Sequence, residues 1–405
     1  MKDADEPAAV TGIGLVTPLG TGVPACWEAL TRGEVGVRRL EPGDSRLEAG
    51  ADPSPLPDVG RAGFVRGFRP REAIRHPLLR RMDWCSRMLV AAAREAATDA
   101  GPGALAAERT DRAALVVGSE LANQRETSRY LARVLRDGLA AGSPLLFPNL
   151  VLNAPAGYAA IELGITGPNL AVSEHEASGE AAIAAAVDLI ASQACDVAVA
   201  GGVDEMSDVY LDALAERRVL EPRAAGERRR SRRGWLVPGE GAAALVLEPR
   251  SRARERGARV YAEVVAAWTG TVPTRAYRLP EAARAGRLVA ERALAASGGP
   301  IDAVLGCGSA LGPRSRFDRA CLDSIEPLQG FRPGYAAFRD HTGEWGSAGA
   351  LGVAIAALAI ARGSWPLVGR DAAAPPSGAP SRVLVAGAAR GGAVAGVVLA
   401  RPAGA

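Results

Sequence analysis

Between Gly167 and Val187 an apolar run, Leu170-Ala171-Val172, ends in the charged turn Ser173-Glu174-His175-Glu176, and an alanine-rich helix begins near Ser178. The pattern is that of a strand, a tight turn and a helix N-terminus. Such an N-terminus presents unpaired backbone N–H groups and a partial positive charge. The side chain that caps it can therefore serve as a nucleophile, an anion or a ligand contact, and here that side chain is the carboxylate of Glu176. Its plainest use is structural, since an acid at this place is favoured by about 0.3–1 kcal/mol from the helix dipole alone. Cys307, set between Gly306 and Gly308, reads as a small buried filler, because nothing in sequence supplies a positive neighbour to lower its pKa.

The elements that must position this turn can be read from the pattern of apolar residues. Ala8–Gly14 reads as a β-branched strand ending in glycines, followed by a helix around Pro24–Arg32. The stretch Glu41–Pro77 is rich in Pro, Gly and Asp and reads mostly as surface connection. Met82, Cys85, Met88, Leu89 and Ala92 recur at helical spacing. Ala113–Gly118, Asp196–Gly202, Gly239–Leu247 and Ala258–Trp268 read as strands, and Arg125–Gly138 and Ala156–Leu163 as helices. A helix, Ser178–Ser192, leads to the strand DVAVAGG, and a second helix, Ser347–Arg362, leads to the strand RVLVAG and then Gly391-Gly392. The same unit thus occurs twice, about half a chain apart, which argues for a pseudo-duplicated α/β fold whose sheets are covered by helices on both faces.

Composition narrows the function classes. The chain has 405 residues, 48% of them hydrophobic, with a net charge of +3, so no global field favours nucleic acid or a membrane surface. The run Gly346–Ala361 is shorter than the ~20 residues that span a bilayer and reads as a buried helix. The opening MKDADEP has acids where a signal peptide needs an apolar core, and five irregularly spaced cysteines without a CxxC fit a reducing cytoplasm. No metal or cofactor is expected. The dense charge block Glu227–Arg233, ERRRSRR, reads as a solvated loop, with docking of an acidic partner as the other reading of Arg228–Arg233.

Six motifs in order, AVTGIGLVTPLG, RRMDWCSRMLVAAAREAATDAG, GPNLAVSEHEASGEAAIAAA, DVAVAGGVDE, GWLVPGEGAAALVLE and GAARGGAVAGVVL, resemble those of β-ketoacyl synthases of the thiolase fold, over about residues 8–402. The resemblance implies two pseudo-duplicated halves, residues 1–255 and 256–405, in a layered α-β-α-β-α core. That family uses a cysteine nucleophile and two histidines. Counting from Gly167-Pro168 to Gly179 puts Glu176 at the cysteine. Cys307 stands at the first histidine, where a thiol offers little of the same hydrogen bonding. The second histidine falls on Glu344 if Thr342-Gly343 is the anchor, or on Gly343 if Gly346-Ser347-Ala348-Gly349 is; the latter matches more residues. A bracing acid maps to Asp318, its cationic partner to Arg339 or Phe338, and a gating phenylalanine to Arg390. His175 and His341 lie beside former catalytic positions but at neither.

These replacements resemble the chain-length factor, the subunit that lacks the cysteine and pairs with an active ketosynthase in type II polyketide systems, although Glu176 departs from its usual Gln. The resemblance implies a ketosynthase partner in a heterodimer, an acyl carrier protein, a dimer interface at Asn169–Val172 and a tunnel lined by Ser119–Pro148. It also leads to an expected Glu176–Arg390 ion pair filling the acyl entrance. The alternative is a homodimeric enzyme in which Glu176 and Glu344, with His175 or His341, carry acid/base work, since two carboxylates in one dry pocket push one pKa up. A third reading is a scaffold that holds carrier proteins.

Overall fold

A computed structural model of the chain describes residues 6–39, 60–220, 235–306, 308, 314–366 and 378–403. Cys307 and the arginine-rich run 227–233 lie outside them. Ten strands carry the architecture: β1 Ala8–Thr17, β2 Ala113–Gly118, β3 Asn169–Val172, β4 Val197–Asp204, β5 Gly241–Pro249, β6 Ala262–Thr271, β7 Ala303–Leu305, β8 Gly334–Ala336, β9 Arg382–Ala388 and β10 Ala393–Ala400. In the first half their spatial order is β3-β2-β4-β5-β1, and in the second it is β8-β7-β9-β10-β6. Pairing repeats as well. β2 is parallel to β3 and β4, β4 is antiparallel to β5 and β5 to β1; β7 is parallel to β8 and β9, β9 is antiparallel to β10 and β10 to β6. The halves meet where β1 pairs with β6, Ala8 opposite Val264 and Val10 opposite Ala262.

Seven longer helices fill the layers: α1 Trp84–Asp99, α2 Gln124–Asp137, α3 Ala154–Leu163, α4 Ser178–Ala191, α5 Ala282–Ser297, α6 Ser315–Gln329 and α7 Gly349–Arg362. α1 and α3 cover the outer face of the first half-sheet, α5 and α6 that of the second, and α4 and α7 lie side by side between the two. This is the α-β-α-β-α order. Apart from the exposed edge strand β3 and the outer part of β6, the strands read as near-continuous runs of Val, Leu, Ala and Gly because both of their faces are buried. α7 is buried from Gly349 to Ile360, which is what a helix sandwiched between two sheets requires. α4 and α7 approach so closely that a Cβ on Gly179 would sit 2.3 Å from the Ser347 carbonyl oxygen; only glycine fits.

Part of the Glu41–Pro77 stretch is more than a surface connection. Arg61–Gly63 pairs antiparallel with Val37–Arg39, and Ala62, Phe64, Val65, Phe68 and Ile74 are buried. Their apolar side chains are too few and too irregularly spaced to show a period, so tertiary packing decides the conformation.

Candidate functional site

In open α/β sheets, ligands bind outside the carboxyl ends of the parallel strands. Six charged side chains cluster there in this fold, three from each half. Glu120 lies just beyond β2, Glu176 beyond β3, and Asp204 is the last residue of β4; Arg314 lies beyond β7, Glu344 beyond β8 and Arg390 beyond β9. The internal repeat thus places the loops of one half opposite the equivalent loops of the other.

Arg314 is the centre of this cluster. It is 4% exposed, its Nη1 lies 3.7 Å from Glu176 Oε1, and its Nη2 pairs closely with Glu344 Oε2. Arg390 holds Glu176 from the other side, through Nε to Oε1 at 2.7 Å and by donating its backbone N–H to Oε2 at 2.9 Å. Its Nη2 also lies 3.3 Å from Glu120 Oε1. Burial alone would push the Glu176 carboxyl up, but the Arg314 and Arg390 guanidinia hold it below the usual carboxylate range. Glu120 behaves in the opposite way: burial, then the like charges of Glu176 and Asp204, push it up to about 8. Asp204 is a tie between segments. Its Oδ1 accepts hydrogen bonds from Ser119 Oγ (2.7 Å) and from the N–H groups of Glu120 (2.9 Å) and Leu121 (2.8 Å), and its Oδ2 accepts from the N–H and Oγ of Ser347, both at 2.8 Å.

Glu176 does not cap α4. It sits in a short 3-10 turn, His175–Ala177, one step before the helix, and its carboxylate is drawn to the two guanidinia. Ser178 shapes the turn instead, accepting the Glu174 N–H at 2.9 Å and donating to the His175 carbonyl at 2.6 Å. The ion pair between Glu176 and Arg390 is present. Of the two candidates at the second histidine, Glu344 brings its side chain into the cluster, whereas Gly343 contributes only backbone and closes the turn onto the Arg339 carbonyl.

The remaining expected residues divide between site and scaffold. His175 is at the mouth, its side chain 59% exposed and its Nδ1 3.9 Å from Glu120 Oε1. His341 is a correction: its Nδ1 shares a 2.7 Å hydrogen bond with the Glu34 carbonyl, so it braces the loop after Thr31 and not the cluster. Asp318 accepts from Tyr335 Oη at 2.8 Å and from the Gly308 N–H at 3.2 Å, fixing the turn after β7. Arg339 and Phe338 are both about 1% exposed. The Arg339 charge opposes the burial that pushes Glu180 up, an acid on the first turn of α4 whose two oxygens are buried without a hydrogen bond among the described residues. Sequence reasoning did not single out Arg314 or Glu120. The signal available was the repeat itself, which equates the turn after β2 with the segment after β7.

Among the described residues, no group of three or more His, Cys, Asp or Glu side chains is arranged to hold a metal ion. No helix there is long and apolar enough to cross a membrane.

Residues 5–253 match the family model for the β-ketoacyl synthase N-terminal domain, more than half of the chain. A putative polyketide β-ketoacyl synthase 1 of Streptomyces virginiae is 30% identical over 375 residues, covering 87% of this chain and 84% of that relative. The chain belongs to the β-ketoacyl synthase family. A 3-oxoacyl-[acyl-carrier-protein] synthase 2 of Coxiella burnetii is 29% identical over 264 residues, so this family member matches only 61% of that relative's length. Among solved structures, the ishigamide ketosynthase/chain length factor superposes with a TM-score of 0.83 over 98% of this chain and 100% of that one, at 24% identity. A ketosynthase structure described as a type II polyketide synthase acyl-carrier protein in complex with its ketosynthase bound to the hexaketide gives a TM-score of 0.80 at 18% identity, with the same coverage. At these identities the two likenesses show the thiolase-like fold of the family.

Proposed function

We propose that this family member is a non-condensing, chain-length-factor-like subunit that pairs with an active ketosynthase and shapes a shared acyl tunnel. One observation carries the reading: the turn that would present the nucleophile holds a carboxylate, Glu176, ion-paired on two sides by Arg390 and Arg314. A carboxylate cannot form the stable thioester that a transferred acyl chain requires, and the Glu176–Arg390 pair would fill the acyl entrance. In this reading Glu176, Cys307 and either Gly343 or Glu344 replace the family's catalytic groups, and the chemistry of decarboxylative condensation rests with the partner.

The surface supports a second subunit. More than half of the exposed large apolar side chains among the described residues, Leu135, Leu139 and Leu145 among them, fall on the segment from α2 to β3, and exposed apolar residues concentrated in this way favour an interaction face. β3 is an edge strand with free pairing groups. We assign Asn169–Val172 to the subunit interface and Ser119–Pro148 to the tunnel wall on the partner's side. An acyl carrier protein, a cytoplasmic setting and a division of the chain at 255/256, in the connection between β5 and β6, belong to the same reading.

A homodimeric enzyme of altered acid/base chemistry is the second reading, favoured by the convergence of Glu176 and Glu344 on Arg314. Expression of this chain alone and with the ketosynthase encoded beside it separates the two. Co-purification as a 1:1 pair, with condensation lost when this chain is omitted, is the expected result. A stable homodimer that turns over acyl-carrier substrate, and loses that turnover in Glu176→Ala or Glu344→Ala, would overturn the first reading in favour of the second.

A further inference from the structure

The rim of the site on the second half carries charge that the fold itself does not use. Residues 273–287 and 315–320, which run from the end of β6 into α5 and from Arg314 into α6, hold six arginines against Glu281 and the buried Asp318. Arg275, Arg278, Arg284, Arg287, Arg316 and Arg319 are all exposed, and among the described residues none of them forms an ion pair. Arg284 and Arg316 lie in the first turns of α5 and α6, where the helix dipole disfavours a cation. Arg287 and Arg319 follow one turn on. The two helices touch near these ends, since a Cβ on Gly286 would come within 2.7 Å of the Ala320 Cβ. Like charges are thus gathered at two positive helix ends with no internal acid to offset them.

The same rim borders the mouth. Val272 donates its N–H to the Gly392 carbonyl at 2.9 Å and the Arg278 carbonyl accepts the Gly391 N–H at 3.1 Å, so the segment from 272 to 278 lies along the glycine loop that carries Arg390. α6 begins one residue after Arg314, the centre of the cluster. Within the segment the Arg278 N–H closes a turn on the Arg275 carbonyl at 3.1 Å, which makes Tyr277 the third residue of that turn. Tyr277 has φ of +62° there, where glycine is favoured, and it is 79% exposed. A ring held outward on a strained backbone gains nothing from the core, and tyrosine and arginine are the residue types that carry binding energy at protein interfaces. We propose that this rim docks the acidic face of an amphipathic helix on a partner protein, its carboxylates on the arginines and an apolar side chain against Tyr277. A nucleic acid is the poorer fit, because a net charge of +3 supplies none of the broad positive field that a polyanion surface uses. The inference does not depend on pairing with a ketosynthase, which the reading above places on the α2–β3 face of the other half.

Fluorescence anisotropy of the full chain tests it, with a labelled peptide of about 20 residues, long enough to hold a helix, that bears Glu on one face and Leu on the other. The peptide should bind at low salt and weaken as salt is raised. Arg284→Gln combined with Arg316→Gln should weaken binding at least about fivefold, Tyr277→Ala should do the same, and Arg136→Gln on α2 should leave it unchanged. Polyglutamate and a single-stranded DNA of matching length should bind more weakly than the peptide. The double arginine variant supplies a second readout: its Tm should rise, because it removes cations from the positive ends of two helices. No binding at low salt, equal binding of polyglutamate or DNA, or binding indifferent to the rim variants overturns the proposal. A lowered Tm in the double variant also overturns it, since the arginines would then be supporting the helices and not a partner.

Discussion

The two halves of this molecule repeat one scaffold with opposite electrical content. At the carboxyl ends of equivalent strands the first half places Glu120, Glu176 and Asp204, and the second places Arg314, Glu344 and Arg390. The turns before α4 and α7, equivalent by the repeat, each send one acid to the same guanidinium, that of Arg314. Both cations of the cluster come from the second half. Duplication therefore builds the geometry, and divergence of single residues within it decides the chemistry. A symmetric pair of acids closes on a cation that has no counterpart in the other half.

The largest test of this asymmetry is Arg314→Met, which leaves Glu176 and Glu344 buried without their shared cation. Breaking a buried pair in this way costs about 3–5 kcal/mol, read as a lower denaturation midpoint with an unchanged slope. A loss below 1 kcal/mol would mean that the seam is held by packing alone. Gly179→Ala tests the packing side of the comparison. The new Cβ meets the Ser347 carbonyl at 2.3 Å, so α4 and α7 must part, at a cost of about 1–3 kcal/mol. Thermal unfolding would show that loss, and an unchanged Tm would contradict the close approach.

The acids of the first half should give pH dependences of opposite sign. Glu176, held below its ordinary value of 4.5 by the two arginines, binds fewer protons folded than unfolded. Its stabilising contribution is present above the ordinary value and lost as pH falls through the folded one. Glu120, raised from 4.5 to about 8, binds more protons folded, so its contribution falls as pH rises from 4.5 to 8 and then levels off. Tm measured across pH should lose its limb below 4.5 in Glu176→Gln and its limb between 4.5 and about 8 in Glu120→Gln. Identical profiles for both variants would break the distinction. The smallest effect belongs to charges outside the seam: Arg69 and Glu72, whose side chains are 76% and 70% exposed, form a surface pair. Glu72→Ala should shift stability by no more than about 0.5 kcal/mol, measured by the same denaturation.

The sequence by itself determined the strand-turn-helix at Gly167–Val187, the buried α7, the paired helix-strand-glycine units and the absence of a cysteine from the turn before α4. These follow from the local spacing of apolar and glycine residues, which one chain of letters displays directly. The Glu176–Arg390 pair was also legible, because the ordered motifs place both residues near one site. Tertiary structure decided which charges meet. Arg314 lies in no motif, and Glu120 lies within the Ser119–Pro148 stretch without being singled out there; each enters the cluster only because the repeated strands end side by side. It also decided that Glu344 reaches the site while His341 turns to the Glu34 carbonyl, since three residues along a tight turn reverse the direction in which a side chain points. Local pattern sets the elements, but an ion pair across 30 to 270 residues forms only when the elements are packed.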